Sequence, residues 1–390
     1  MGNLNNWPSF SRKEILAVEK VLQNNKVNYW TGDQGRLFEQ EFSQWCGAKF
    51  SIALANGTLA LDLALKSINL KPGDEVIVTP RSFIASVSSV ISIGAKPIFA
   101  DVDINSGNLS VETIKKKITK KTRAVLCVHL AGLPCDMDPI MALAKEKDLY
   151  VIEDCAQAHG AKYKKKSVGT IGHIGTWSFC QDKIITTGGE GGMVTTNSKK
   201  LWDKMWSYKD HGKNHKSIQK NQKRPGFKWV HDTFGSNFRM TEMQAAIGRI
   251  QLSKMDSWTK LRNRNANDIN LVFERFPNLI RKVDVPKHSN HAYYRLYAYV
   301  KETGLKKNWT RDRIISAITK RGVPCFIGSC PEIYNEKAFF GKDYKPNNRL
   351  ANAKTLGETS IAFLCHPTIT KRDIREMARV IEAVLEEASL

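Results

Sequence analysis

The chain predicts an α/β fold: a large domain on a mostly parallel seven-stranded sheet covered by helices, followed by a smaller C-terminal α+β domain. Seven short apolar runs recur through its first half, helical patterns lie between most of them, and the pattern changes after residue 255. The runs are Phe50 to Leu54, Glu75 to Thr79, Pro97 to Asp101, Arg123 to His129, Tyr150 to Glu153, Ile174 to Phe179 and Met193 to Thr196. Strands alternating with helices are the mark of a sheet covered on both faces. Thr241-Glu242-Met243-Gln244 has the spacing of a capping box and opens a helix to about Met255, with Met243, Ala246, Ile247 and Ile250 on one face. That helix closes the large domain, 1–255. The rest, 256–390, reads as a helix, an alternating strand Tyr294 to Val300, a helix begun by Thr310, a segment Val323 to Ile327 and a last helix from Thr370.

With 390 residues the chain can bury two substantial cores. Its start, Met1 to Pro8, lacks the charged and apolar blocks of a signal peptide, and Asn6 stands where a myristoylation motif needs Ser or Thr. No apolar run approaches a membrane span. The eight cysteines form no C-x-x-C pair and no regular framework, which suits reduced thiols in the cytoplasm. His211 and His215, and His288 and His291, have helical spacing without a cysteine or carboxylate at familiar distance, so no metal is expected. Gly169, Gly172 and Gly175 have the wrong spacing for a dinucleotide fingerprint.

The formal net charge of +22 raises one rival class, a nucleic-acid or anionic-surface binder. The excess is spread along the chain without a recognised binding module, and tight, sequence-selective binding to duplex DNA at physiological salt is the result that would favour this rival. The densest basic stretch, Lys213 to Lys228, reads as an exposed loop placed to cover an active site.

Three separated motifs carry chemistry. Lys183 follows the apolar strand ending at Phe179 and precedes the glycine-rich turn Gly188 to Gly192. Burial or a nearby positive charge there would lower the amine's pKa and free it as a nucleophile. Val151-Ile152-Glu153-Asp154 ends a strand in a carboxylate, where open α/β sheets bind ligands, although Asp154 equally suits a helix N-cap. Strand Ser51 to Ala55, turn Asn56-Gly57-Thr58 and the helix after it aim free backbone N–H groups at an anion. An aldehyde-binding lysine, a carboxylate for a pyridine nitrogen and a phosphate seat are what pyridoxal 5'-phosphate requires.

With Thr79-Pro80-Arg81-Ser82-Phe83, Glu153 to Gln157, Ser178 through Lys183 to Glu190-Gly191-Gly192, and Gly235 to Met240, the chain resembles the DegT/DnrJ/EryC1/StrS sugar aminotransferases over nearly its whole length. The resemblance implies a fold-type I aminotransferase fold. It implies that Lys183 carries the cofactor, Asp154 pairs with its ring nitrogen, and Gln157, one helical turn on, reaches its phenolic oxygen. Phe83 would stack on the ring, Gly57, Thr58 and Ser178 would hold the phosphate, and Asn237 would reach the phosphate of a neighbouring subunit's cofactor in a homodimer with shared sites. His211 and Tyr293 would lie near the substrate channel. Phe83 also suits ordinary core, Ser178 a solvent-facing strand position and Asn237 a turn.

The loop from Lys183 to Glu190 is one residue longer than the family's usual form, at Gly188-Gly189. A related dehydratase branch has histidine where Lys183 stands, so the lysine favours transamination. The expected reaction passes an amino group from L-glutamate to a nucleotide-linked keto sugar, first choice a 4-keto-6-deoxy sugar with a 3-keto sugar as the alternative. The product would feed lipopolysaccharide O-antigen or a related surface glycan.

Overall fold

A computed structural model of the chain describes residues 6–220, 227 and 229–390. The seven apolar runs form one sheet: β1 Phe50–Leu54, β2 Glu75–Val78, β3 Lys96–Phe99, β4 Thr122–Val128, β5 Tyr150–Asp154, β6 Ile174–Ser178 and β7 Gly192–Thr196. Their order is β1-β7-β6-β5-β4-β2-β3. Neighbours from β6 through β3 are parallel, whereas β7 runs against both β1 and β6. The reason is the connection: only a helix-free loop separates β6 from β7, and such a return pairs antiparallel, while parallel neighbours need a longer crossover.

Both faces of this sheet are covered. On one, Ile52, Val76, Val78, Ile152 and Val194 pack with Leu61, Leu65 and Met205. On the other, Ala53, Trp177 and Met193 meet Phe38 and Phe42 of the helix Gln34–Cys46, and Val125 and Val151 meet Ile140 and Leu143 of the helix Met137–Glu146. Because β1, β5 and β6 point the same way, their carboxyl ends share one edge, and the residues after them converge there.

The capping box at Thr241 forms as expected, with the Thr241 hydroxyl accepting Gln244 N–H at 3.3 Å on the helix Glu242–Ser253. Its inner face is not the expected one. Glu242, Ala245, Ala246, Gly248, Gln251 and Leu252 are buried, while Met243, Ile247 and Ile250 are only partly covered. Close approach explains the exchange: a Cβ on Gly248 would stand 2.7 Å from the Phe38 ring, and Glu242 accepts the N–H groups of Gln34 (2.6 Å) and Gly35 (3.0 Å). The seam selects small residues and one capping carboxylate.

A second, antiparallel sheet is ordered Ile280–Lys282, Arg295–Val300, Ser360–Leu364, Cys325–Phe326. Thr310 and Thr370 cap the helices Arg311–Lys320 and Lys371–Ala388. The strand Ser360–Leu364 and the helix Ala351–Thr359 before it had no counterpart in the sequence reading. The alternation in Arg295–Val300 separates two buried surfaces, not core from solvent. Leu296, Ala298 and Val300 enter the second core, whereas Tyr297 packs with Leu130 and Ala131, and Tyr299 with Val102. Ile333, Tyr334 and Phe339 return to the first core.

Residues 215–220 of the basic stretch form a helix where a loop was expected; 221–226 and 228, like residues 1–5, lie outside the described residues. Among the described residues no helix is long and apolar enough to cross a membrane. All eight cysteines are free.

Candidate active site

Asp154 ends β5 and is 5% exposed. No helix follows; residues 155–160 are turns, so the N-cap reading and the helical-turn argument for Gln157 both fall. The Asp154 carboxyl accepts Ala156 N–H at 3.1 Å on Oδ1 and the Ser86 hydroxyl at 2.9 Å on Oδ2, with Ser82 Oγ 2.9 Å beyond Ser86. Burial pushes this carboxyl above its usual range, and the Ala156 and Ser86 bonds and the nearby Lys183 offset only part of that. The site holds a desolvated acid with no salt-bridge partner among the described residues.

Its neighbour Glu153 faces the other way. Oε1 accepts Ile171 N–H (2.8 Å) and Gly172 N–H (2.6 Å), while Oε2 accepts Gly169 N–H (2.8 Å) and lies 3.0 Å from His129 Nε2. Two of the glycines that mimicked a nucleotide fingerprint, Gly169 and Gly172, thus bring backbone donors to a buried carboxylate; Gly169 does so at φ 78°. His129, Glu153 and Cys155 are close enough together to hold a metal ion, but Glu153 is already filled by backbone donors. His159, from the same motif, is buried between Trp177 and Phe179 with neither ring nitrogen bonded among the described residues, and burial above all pushes it down to about 3.

Lys183 lies in the loop after β6, where Trp7 Nε1 donates to its carbonyl at 2.8 Å. The side chain is 16% exposed, with Nζ 3.4 Å from Asp182 Oδ1 and 5.1 Å from the centre of the Tyr294 ring. Burial pushes the amine down, but Tyr294, Asp182 and Cys180 together push it up, and the net direction is upward. This reverses the expectation from burial alone. The Tyr294 hydroxyl in turn donates to Asp182. Gly188 (φ 93°) and Gly189 (φ 126°) turn the longer loop through backbone angles that side chains avoid.

Asn56 caps the helix Gly57–Ser67 by accepting Leu59 N–H at 2.9 Å, which leaves Gly57 and Thr58 at the head of the helix, where backbone donors have no intrahelical acceptor. Gly57 packs so tightly that a Cβ there would stand 2.6 Å from Ser178 Cβ. Ser178 is buried at the end of β6.

One cavity of about 570 Å³ is lined by Gly57, Thr58, Phe83, Asp154, Gln157, Ser178 and Lys183, together with Ser86 and Asp182. Phe83 is 67% exposed, so it is no core residue. Gln157 is held by Ala131 N–H donating to Oε1 at 2.7 Å. An adjoining chamber of about 300 Å³ shares Phe83, Gln157, Asp182 and Lys183 and adds Tyr294, Arg295 and Ser329.

Three residues singled out in the sequence lie outside these cavities. Asn237 is exposed, and its side chain accepts Arg239 N–H at 3.3 Å. His211 is exposed at φ 59°, its carbonyl facing the His231 ring at 2.9 Å. Tyr293 is buried in the second core, stacked on His291 at 4.0 Å. Tyr294 takes the place expected of Tyr293. Adjacent residues entering a strand point to opposite sides, and only the register of pairing settles which one faces the cavity.

Residues 8–384 match the sequence model of the DegT/DnrJ/EryC1/StrS aminotransferase family. The chain is 37% identical over 332 residues to GDP-perosamine synthase of Escherichia coli O157:H7, covering 85% of this chain and 86% of that protein. It is 32% identical over 376 residues to UDP-N-acetyl-3-dehydro-alpha-D-glucosamine 3-aminotransferase of Acidithiobacillus ferrooxidans, covering 96% and 94%. The X-ray structure of the aminotransferase from Psychrobacter cryohalolentis superposes with a TM-score of 0.96 at 54% identity, covering 98% of this chain and 99% of that one. The chain belongs to the DegT/DnrJ/EryC1/StrS aminotransferase family, and is an aminotransferase by that membership.

Proposed function

We propose that this aminotransferase uses pyridoxal 5'-phosphate to pass an amino group from L-glutamate to a nucleotide-linked keto sugar, with a 4-keto-6-deoxy sugar as first choice. The observation that carries the reading is the single cavity joining Lys183, Asp154 and the start of the helix Gly57–Ser67. These residues fit the cofactor. A buried carboxyl without a cation accepts a pyridinium, backbone donors at a helix start accept a phosphate, and an accessible amine accepts an aldehyde.

Pyridoxal phosphate, when bound, supplies a ring that takes up the electron pair left when a proton departs the amine-bearing carbon. Lys183 Nζ would hold the group through its aldehyde carbon, and as a free amine would carry that proton. Asp154 would keep a proton on the ring nitrogen, and Ser86 and Ala156 N–H fix the carboxyl's two oxygens for that role. Gly57, Thr58 and Ser178 would hold the phosphate, Gln157 would orient the ring's oxygen and Phe83 would cover the ring.

We assign 1–255 to the cofactor-binding domain and 256–390 to the smaller one. We also assign the working unit to a homodimer in which Asn237 serves the neighbouring subunit's cofactor. Its exposure and the exposed Phe227, Trp229 and Phe234 nearby in sequence support that. Amination at C3 is the second reading, favoured by the relative whose name specifies a 3-aminotransferase. The product is assigned to surface glycan assembly, with the reaction in the cytoplasm where nucleotide sugars are made. Incubating the protein with the cofactor, L-glutamate and a panel of nucleotide-linked 3-keto and 4-keto sugars should yield one amino sugar by mass spectrometry. No amine on any panel member would overturn the acceptor assignment.

A further inference from the structure

Arg295 borders the smaller chamber beside Lys183, and its guanidinium acts on Asp182 only from beyond salt-bridge distance. It lies 5.1 Å from the centre of the Tyr294 ring and 5.6 Å from that of Phe326, and among the described residues it makes no salt bridge and no side-chain hydrogen bond. Its backbone is fixed in the second sheet opposite Leu364. The nearest acid in the chamber, Asp182, is already taken up by Lys183 and the Tyr294 hydroxyl. A half-buried guanidinium held between two rings keeps all its donors free and loses little side-chain freedom on pairing, so it is organised in advance for a planar anion.

The chamber's size and position select the anion. In an amino acid the carboxylate sits one carbon from the amine, so its receptor has to border the same small space as Lys183. A volume of about 300 Å³ suits an amino acid, whereas the charges of a nucleotide sugar sit beyond a whole sugar ring. We propose that Arg295 receives the α-carboxylate of the amino donor and thereby restricts donors to amino acids with that carboxylate free. The Ser329 hydroxyl, on the same wall and 3.4 Å from Gln157 Nε2, stands as a second donor. This assignment rests on the aminotransferase reading but not on which sugar accepts the amine.

The test uses the cofactor-loaded enzyme and Arg295→Gln, with Arg295→Lys as the conservative variant. The donor half-reaction is followed by loss of the visible absorbance of the lysine-bound cofactor. Arg295→Gln should raise the half-saturating L-glutamate concentration about 10- to 100-fold, the usual worth of a charge-assisted pair, with partial recovery in Arg295→Lys. Calorimetric titration with 2-oxoglutarate, which does not turn over in this form of the enzyme, should show a similar loss of affinity. Parent enzyme should prefer L-glutamate to its α-amide, and Arg295→Gln should lose that preference. The acceptor half-reaction should keep its KM within about two-fold, since that substrate brings no carboxylate to this wall.

Unchanged glutamate saturation in Arg295→Gln overturns the proposal, as does a parent enzyme that takes the α-amide equally well. Equal damage to both half-reactions also overturns it, because it marks a structural role or a nucleotide contact. An Arg295-dependent glutamate half-reaction without amine on any sugar would leave this assignment standing and remove only the acceptor reading.

Discussion

Two lysines in this chain are taken out of water and end on opposite sides of the ordinary amine value. Lys209 is fully buried, 3.7 Å from Glu39 and 3.8 Å from the centre of the Tyr29 ring; burial prevails over Glu39 and Asp210, and its amine is pushed down. Glu39 is pushed up by the same burial. Lys183 is nearly as enclosed, but Tyr294, Asp182 and Cys180 outweigh its desolvation. Burial alone would therefore nominate Lys209 and not the lysine proposed to act. Lys209 has no exposed surface, whereas Lys183 opens on a cavity that also holds Asp154, and access with the right neighbour makes an amine useful.

The largest way to break this comparison is Lys183→Ala. Donor half-reaction rates should fall about ten-thousand-fold and the visible band of bound cofactor should vanish, while circular dichroism stays native. A persisting band would move the covalent link to another lysine.

Asp154→Asn should retain cofactor but slow turnover by about 100- to 1000-fold, because a neutral amide cannot hold the ring nitrogen's proton. The same variant has a stability readout. Asp154 is raised in the folded state, so its contribution is present at low pH and lost as pH rises through that raised value. Cofactor-free Asp154→Asn should therefore melt above the parent at pH 8, with the difference shrinking toward pH 4. Equal melting curves at both pH values would show that the carboxyl is not strained by burial.

Lys209→Met should cost about 3 kcal/mol of unfolding free energy by leaving Glu39 buried without its cation, and adding Glu39→Gln should recover most of it. Denaturant melts of the single and double variants check this, and the donor half-reaction per folded molecule should not change. Asp182→Asn carries the smallest effect. It removes the carboxylate 3.4 Å from Lys183 Nζ, one of the groups that hold the amine up, so the amine's value falls and more of it is neutral at a given pH. Cofactor uptake by the cofactor-free variant should then quicken a few-fold near pH 8, with its pH profile shifted to lower pH. A shift to higher pH would reverse the role given to Asp182.

Local sequence carried much of the architecture because its signals need no partner. Seven apolar runs became seven strands of one sheet, and Thr241, Thr310 and Thr370 capped helices as their spacing implied. Seven of the residues singled out, from Gly57 to Lys183, line one cavity, since each sits at or shortly past the end of a strand whose direction the alternating pattern had already set. Where a partner decides the outcome, the sequence was silent or misleading. The helix Glu242–Ser253 turns small residues inward because Phe38 leaves no room for larger ones. Nothing local distinguishes Ser86, which bonds Asp154 across 68 positions of chain, or Asp182 and Tyr294, which meet across 112.

By itself, then, the order of residues determined the elements, their α/β arrangement, and the presence of a lysine, an acid and a capped helix start in one chain. Tertiary structure alone decided that the Lys183 amine is raised and not lowered, that Tyr294 and not Tyr293 meets it, and that Arg295 borders the same chamber with no salt bridge among the described residues. The physical reason is range. Hydrophobic period and capping act within a few residues, whereas a charge's environment is the sum over whatever the fold packs around it.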